Sequence, residues 1–466
     1  MQRVDSASDS VAAIGVCDNT PMYGFLSFVV GGAVDLFYRR VSLGGGVPQG
    51  GPVLLVANHP NGLVDPVVVA NTARRRIRML AKAPLFHMPG ISLLVKGVGA
   101  LPVYRSKDGA DTARNDATFL AVNAALLAGS AVLIFPEGTS HDEPQLQRLK
   151  TGGARMALQA CAAGATDLCI VPIGLVYRDK ERFRSEVATL VGQPMRVAGY
   201  LSQGGPDDPL VVTQLTTDMA ASLRAVTINL EAWEDLPLLE AVDAIWRIDD
   251  PSRTARVKQL AEGVQLLRSH APERLTSARA MLLEWQAHLE DLGLTARDLS
   301  PESVAARAAP AKALAFGLKN LALLAADLPL AVFGALAWAA PFWLIHLLTL
   351  LLRPTRDVSA TGKILTSIVL FPAWYALMTW LLWRFVSGGA AALVASTAPL
   401  AGMTTRWFFR SRKRALRDAS VFLSLWLRRD LSKELLAERD ALLHELDALA
   451  QEGRGQAGQA PAPLDQ

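Results

Sequence analysis

The stretch VLLVANHPNGLVDP, residues 53–66, holds two side chains that could do acid–base chemistry together, His59 and Asp65. Imidazole is the side chain whose ordinary pKa lies nearest neutrality. It can act as a base there, and a nearby carboxylate can fix its tautomer. The same residues also suit a plain polar turn, and a His with an Asp six positions later is a common pattern. Four further stretches bear on the choice. In AVLIFPEGTSHD, residues 131–142, an apolar run ends in Phe135-Pro136-Glu137-Gly138-Thr139. A glycine there lets the backbone approach a ligand, and exposed N–H groups could hold an anion or a developing oxyanion. GALPVYR, residues 99–105, ends in Arg105, whose guanidinium suits a phosphate. AKAPLFHMP, residues 81–89, sets Lys82 after a strand-like stretch, and RLKTGGARMA, residues 148–157, sets Lys150 before a glycine pair and a helix.

The elements that must position these residues follow from the apolar pattern. Strand-like runs at VLLVA (53), GALPVY (99), AVLIF (131) and CIVPIGLVY (169) alternate with Ala-rich helical segments at 113–128 and 153–163. That alternation predicts an α/β domain over 46–210. Residues 1–20 read as disordered. Within 21–45, the run MYGFLSFVVGGAVDLFY is apolar but short, holds Asp35 and is followed by Arg39-Arg40, which favours a helix lying in a membrane interface over a spanning one. An ordinary core helix is the simpler alternative.

From 211 to 305 the spacing is helical, as in MAASLRAVTINLEAW and SARAMLLEWQAHLEDLGL. Within a membrane region over 306–410, residues 328–352 and 364–383 contain no Asp, Glu, Lys or Arg, and each is long enough to cross a hydrocarbon layer of roughly 30 Å. A third apolar run, 387–403, is short and rich in small residues. Arg406, Arg410, Arg412, Lys413, Arg414 and Arg417 follow it, a cluster that belongs on a cytoplasmic face. Two spanning helices in a hairpin, with 387–403 re-entrant or interfacial, keep both flanks on that side. Residues 411–466 read as a basic amphipathic helix, centred on 415–449, and a disordered tail.

Composition narrows the class. The chain has 466 residues, is 51% hydrophobic and carries a net charge of +4. This modest basic excess suits a membrane surface or an anionic substrate and argues against a nucleic-acid partner. Three cysteines, at 17, 161 and 169, lack metal-ligand spacing and read as reduced structural thiols. The first twenty residues lack the apolar core of a signal peptide. The excess of Arg over Lys and the abundance of Ala suggest a bacterial inner membrane, with the α/β domain facing the cytoplasm.

Taken in order, these stretches resemble the glycerophospholipid acyltransferase family, the enzymes that acylate glycerol-3-phosphate and 1-acylglycerol-3-phosphate (lysophosphatidate). The resemblance covers residues 50–200. Asn58, His59 and Asp65 match its first motif, Gly99 to Arg105 its second, Phe135 to Thr139 its third, and Ile170 to Gly174, with a central Pro, its fourth. Two departures stand out. Five residues separate His59 from Asp65 where the family has four, and Ser140-His141-Asp142 follows the third motif where the family has Arg. Both look similar to the fungal glycerol-3-phosphate/dihydroxyacetone-phosphate acyltransferases, as do the LLEWQAHLEDLGL segment and the downstream membrane helices. An extra residue can be absorbed as a bulge around Asn61-Gly62.

The resemblance implies a set of roles. His59 would be the general base on a glycerol hydroxyl attacking an acyl thioester, and Asp65 would orient the imidazole. Arg105, Lys82 and Lys150 would bind phosphate, while Glu137, Gly138 and Thr139 would position the acceptor. It implies no metal and no resident cofactor. The acyl donor is a coenzyme A or acyl carrier protein thioester, and the acceptor a glycerol phosphate or a lysophospholipid. Bland readings stand beside these roles: Lys82 as a solvated strand-end charge, Glu137 as a helix cap, His141 as a surface turn, His87 as a packed residue, and His346 as a neutral group bonded to a neighbouring helix. A remodelling lysophospholipid acyltransferase and a catalytically silent lipid-binding protein are the alternatives for the whole chain.

Overall fold

The structure is a computed structural model that describes residues 21–88, 90–104, 115–230, 271–294, 310–353, 356–427 and 429–457, with isolated positions between 236 and 268. Residues 1–20 and Arg105 therefore lie outside the described residues, as does most of the stretch joining 230 to 271. The chain divides into two compact units, residues 1–229 with 349–369, and residues 230–348 with 370–466.

The first unit is built on one mixed sheet. Its strands are β1 (Arg39–Gly44), β2 (Val53–Ala57), β3 (Ile77–Lys82), β4 (Leu101–Val103), β5 (Ala131–Ile134), β6 (Cys169–Tyr177), β7 (Glu186–Val191) and β8 (Met195–Arg196). They are ordered β1-β7-β6-β2-β5-β3-β4, with β8 on β6. The run β6-β2-β5-β3-β4 is parallel, and β7 turns back antiparallel on β6. All five residues of β2 are buried, because both faces of the sheet are covered. Leu54 and Val56 pack on one face with helices α4 (Asn115–Leu127), α5 (Gly152–Ala162) and α7 (Pro209–Arg224). Val53, Leu55 and Ala57 pack on the other face with α1 (Pro21–Phe37) and α2 (Val64–Ala73). The alternation of a five-residue apolar run thus feeds two cores at once.

Several expectations need adjustment. The strand expected over GALPVY pairs only at Leu101–Val103. The helix expected over 219–233 stops at Arg224, and the chain then runs across β6: a Cβ on Gly174 would lie 1.7 Å from the Val226 carbonyl oxygen. Only glycine at 174 lets the two backbones pass.

In the second unit, Pro272–Asp291 (α8) pairs with Arg429–Ala457 (α12) through Arg274–Glu445 and His288–Glu438. The long helices Pro310–Leu352 (α9) and Arg356–Phe385 (α10), whose stretch 349–369 belongs to the first unit, contain two segments, Ala325–Leu352 and Ser359–Phe385, long and apolar enough to cross a membrane. The third apolar run is not the short separate segment expected. It opens one continuous helix, Gly388–Leu427 (α11), that carries the Arg-rich stretch as well. This helix crosses α9 closely through small residues. Thr405 donates to the Ala331 carbonyl at 2.7 Å, Trp338 to the Ala398 carbonyl at 2.8 Å, and a Cβ on Gly334 would sit 2.3 Å from the Ala401 oxygen. Small residues and side-chain bonds to carbonyls are how helices associate in lipid, where burial of apolar surface gives no drive. The single helix expected over 415–449 is divided between α11 and α12. His346 is exposed and lies edge-to-face on Trp343, not buried between helices.

Candidate active site

The parallel strands deliver their C-terminal ends to one edge of the sheet, and the residues with chemistry collect there. At the end of β2, Asn58 takes over the ladder that the backbone leaves. Its side chain accepts from the Leu175 N–H at 2.7 Å and donates to the Leu175 carbonyl at 3.0 Å. That clamp to β6 sets the point at which His59 departs.

His59 is held on several sides. Its Nδ1 lies 2.9 Å from Asp65 Oδ2, and its ring stacks on Phe135 with centroids 3.9 Å apart. Its backbone N–H donates to Glu137 Oε1 at 3.0 Å, and its carbonyl accepts from the His141 N–H at 3.2 Å. Asp65 is fully buried in the first turn of α2. Besides His59 it accepts from the Asn61 N–H on Oδ2 (2.6 Å) and from the Tyr177 hydroxyl on Oδ1 (2.7 Å). Being acceptor-only, it fixes the proton of a neutral His59 on Nδ1 and leaves the Nε2 lone pair free to act as a base. The extra residue between His59 and Asp65 is absorbed in the turn at Asn61-Gly62. Gly62 adopts φ 40°, and the Val64 N–H closes on the Asn61 carbonyl at 3.0 Å. The longer spacing leaves the His–Asp contact intact.

The loop after β5 differs in two ways from expectation. Glu137 has no side-chain exposure. Its oxygens accept from the His59 N–H, from His141 Nε2 at 2.5 Å and from the Gln147 N–H at 2.8 Å. It braces the base-bearing turn from behind; its carboxylate faces protein, where a contact to the acceptor was expected. The Gly138 amide closes on the Phe135 carbonyl at 3.0 Å and is not presented outward. Gly138 sits at φ 73°, and the Lys150 side chain lies over it, with Nζ 2.7 Å from where a Cβ would be. The Lys150 N–H ties back to the Pro136 carbonyl at 2.8 Å. Thr139 spends its hydroxyl on the Ser140 carbonyl at 3.2 Å.

Lys82 is exposed at the end of β3, two strands from β2, so about 10 Å along the same edge. β4, which leads to Arg105, is the next strand out, and Asn115 pins its exit by bonding both the N–H and the carbonyl of Tyr104. The structure therefore brings His59, Asp65, Glu137, Gly138 and Lys150 together, with Lys82 farther along the edge.

Residues 40–176 match the protein-family model described as Acyltransferase. That match runs from β1 to β6 of the sheet. Glycerol-3-phosphate O-acyltransferase 2 of Saccharomyces cerevisiae is 30% identical over 187 residues, which is 39% of this chain and 25% of that protein. Glycerol-3-phosphate O-acyltransferase 1 of the same yeast is 24% identical over 319 residues, 48% of this chain and 42% of that protein. The chain spans less than half the length of either relative. The solved structure of the 1-acyl-sn-glycerophosphate acyltransferase PlsC from Thermotoga maritima pairs with 44% of this chain, and with 78% of its own, at a TM-score of 0.34 and 17% identity.

Several residues of the first unit escape notice in the sequence. His141, expected in a surface turn, is half-buried against Glu137. Its Nε2 is occupied within the protein by Glu137. Asp142 pairs with Lys180, whose carbonyl accepts from the Tyr38 hydroxyl. Tyr38 in turn accepts from Asn61 Nδ2 at 2.9 Å. Burial pushes the Tyr38 and Tyr177 hydroxyls well above the ordinary tyrosine range, and the Asp65 charge adds to the shift, so both stay protonated as donors. His87, expected to pack, is exposed. The only sequence signal for Tyr177 is its place at the end of the fourth motif's strand. Cys161 and Cys169 are free thiols, pushed up by burial, as structural cysteines should be.

Proposed function

We propose that this protein transfers a fatty acyl group from an acyl thioester to a hydroxyl of glycerol-3-phosphate or 1-acylglycerol-3-phosphate at a membrane surface. One observation carries the reading: Asp65 holds His59 by Nδ1 at the sheet edge, so that Nε2 is the free base. As the acceptor oxygen attacks the thioester carbonyl, Nε2 takes its proton. As the tetrahedral intermediate collapses and the C–S bond breaks, His59 returns that proton to the leaving thiolate. Asp65 steadies the transient imidazolium, the logic of a hydrolase triad with the acceptor itself as nucleophile. The donor is coenzyme A or an acyl carrier protein, and the reaction uses no resident cofactor.

Lys150 sits beside the base and Lys82 two strands away. A cation at each place suits a phosphate linked by a three-carbon chain to the reacting hydroxyl. Arg105, on the next strand's exit, would extend the same row.

The first unit also carries the means to meet a bilayer. Helix α1 turns Leu26, Val34 and Phe37 inward, yet leaves Phe25, Phe28 and Leu36 outward at 66%, 80% and 56% exposure. Ala360 and Ile364, at the start of the second candidate span, pack into the same core as Val34 and Phe37. An interfacial α1 beside a spanning helix would fix this unit at the lipid surface. The Arg-rich composition supports a bacterial inner membrane.

The test is acyl transfer by the detergent-purified full chain from labelled long-chain acyl-CoA, with glycerol-3-phosphate and lysophosphatidate offered side by side. His59→Ala should lower kcat by about 10²–10⁴-fold while the protein still folds. Equal turnover by wild type and His59→Ala would overturn the reading. A folded protein with no transfer to either acceptor, or to a lysophospholipid, would leave a silent lipid-binding module.

A further inference from the structure

We infer that Tyr177 is a positioning residue for the base: its buried hydroxyl holds the Asp65 carboxylate in the orientation that presents Oδ2 to His59. This rests on the reading of His59 as the general base.

Asp65 is fully buried and its two oxygens are used differently. Oδ2 faces His59 and the Asn61 amide, both contributed by the turn after β2. Oδ1 takes the Tyr177 hydroxyl at 2.7 Å, contributed by the last residue of β6. Rotation about the Cβ–Cγ bond is broad for Asp, so nothing in the covalent geometry selects the plane that points Oδ2 at His59. The Asn61 N–H holds Oδ2 from within the turn, and the Tyr177 hydroxyl holds the other oxygen from β6. Tyr177 can do so because it is itself rigid: its ring is buried and lies edge-to-face on Tyr38, 5.3 Å between centroids. Tyr38 receives Asn61 Nδ2 and gives its proton to the Lys180 carbonyl. Asn61 is also fully buried, so the turn, the carboxylate and both phenols form one connected set. The ionisable groups around Asp65 in this set are His59, Tyr177 and Tyr38, and burial keeps both phenols neutral.

Removing the hydroxyl should let the carboxylate plane turn away from His59, weaken its hold on the protonated imidazole and lower the pH at which His59 becomes a free base.

The experiment uses the full chain in detergent, as wild type, Tyr177→Phe, Asp65→Asn and the double variant. Two quantities are read: kcat and KM for acyl transfer, and the pH profile of His59 carbethoxylation by diethyl pyrocarbonate, followed by mass spectrometry of the His59 peptide. Tyr177→Phe should lower kcat about tenfold with KM for both substrates within about twofold, and should move the carbethoxylation profile to lower pH. In the Asp65→Asn background the same change should cost nothing further, because the group it acts through is gone. Installing 4-aminophenylalanine at 177, which restores a donor of the same reach, should recover both readouts. An unmoved carbethoxylation profile overturns the proposal, as does a loss of kcat that adds in full to that of Asp65→Asn. If the wild-type protein transfers no acyl group, the proposed function falls, and the carbethoxylation profile alone decides the role of Tyr177. Should Tyr177→Phe not fold, comparison of 4-aminophenylalanine with 4-methylphenylalanine at 177 separates the same two outcomes.

Discussion

Replacing Glu137 separates a brace from a substrate contact. The carboxylate accepts from three buried donors: the His59 amide at 3.0 Å, the Gln147 amide at 2.8 Å and His141 Nε2 at 2.5 Å. The His141 proton is committed to Nε2, because Nδ1 accepts from the Glu143 N–H at 3.2 Å. Glu137→Ala strands all three donors. At about 1–3 kcal/mol for each unsatisfied buried donor, the loss is about 4 kcal/mol, against a total of roughly 5–15 kcal/mol for a typical domain. Glu137→Gln keeps one acceptor. If that oxygen faces the Gln147 and His141 donors, the amide nitrogen meets the His59 N–H donor-to-donor, and the loss falls to about 2 kcal/mol.

The assay is thermal unfolding of the detergent-solubilised chain beside kcat and KM for the acceptor. The melting temperature should fall in the order wild type, Gln, Ala. kcat should fall with it, because the displaced amide belongs to His59 itself, and acceptor KM should stay within about twofold. Wild-type melting in both variants with a KM raised tenfold and kcat unchanged would refute the brace and restore Glu137 as an acceptor contact.

The other predictions test the rest of the site and its setting. Lys150→Ala should raise KM for a phosphate-bearing acceptor about tenfold while leaving KM for the acyl thioester unchanged, and the difference should shrink at high salt; equal effects on both substrates would remove Lys150 from phosphate binding. Gly174→Ala should destabilise by about 3 kcal/mol, read as loss of soluble expression or a lowered melting temperature, because the new Cβ meets the Val226 carbonyl and not a movable side chain. Replacing Phe25 and Phe28 together by Asp should cut transfer in lipid vesicles by about tenfold yet leave activity in detergent micelles unchanged, since both rings project away from the core. A parallel loss in micelles would show that they serve the fold.

The sequence alone determined the parts of this protein that depend on local pattern. The five-residue apolar run at Val53–Ala57 had to be a buried strand, and the uncharged runs at 328–352 and 364–383 had to be helices able to cross a membrane. The His59–Asp65 pair was legible too, since the turn and helix start between them are short enough to let the two side chains meet.

What only the tertiary structure decided depends on partners far apart in sequence. Glu137 looked like a contact for the acceptor because its motif is local. Its real neighbours, the His59 amide 78 residues away and the Gln147 amide across the loop, exist only once β2 and β5 pair. Tyr177 carried no signal of its own, because a tyrosine ending an apolar strand is ordinary. It reaches Asp65, 112 residues away, because β6 runs beside β2 in a fixed register, and the register is set by packing on both faces of the sheet and by no single residue of either strand. Spacing along the chain records which groups can meet in one turn. Only the assembled sheet decides what stands behind them.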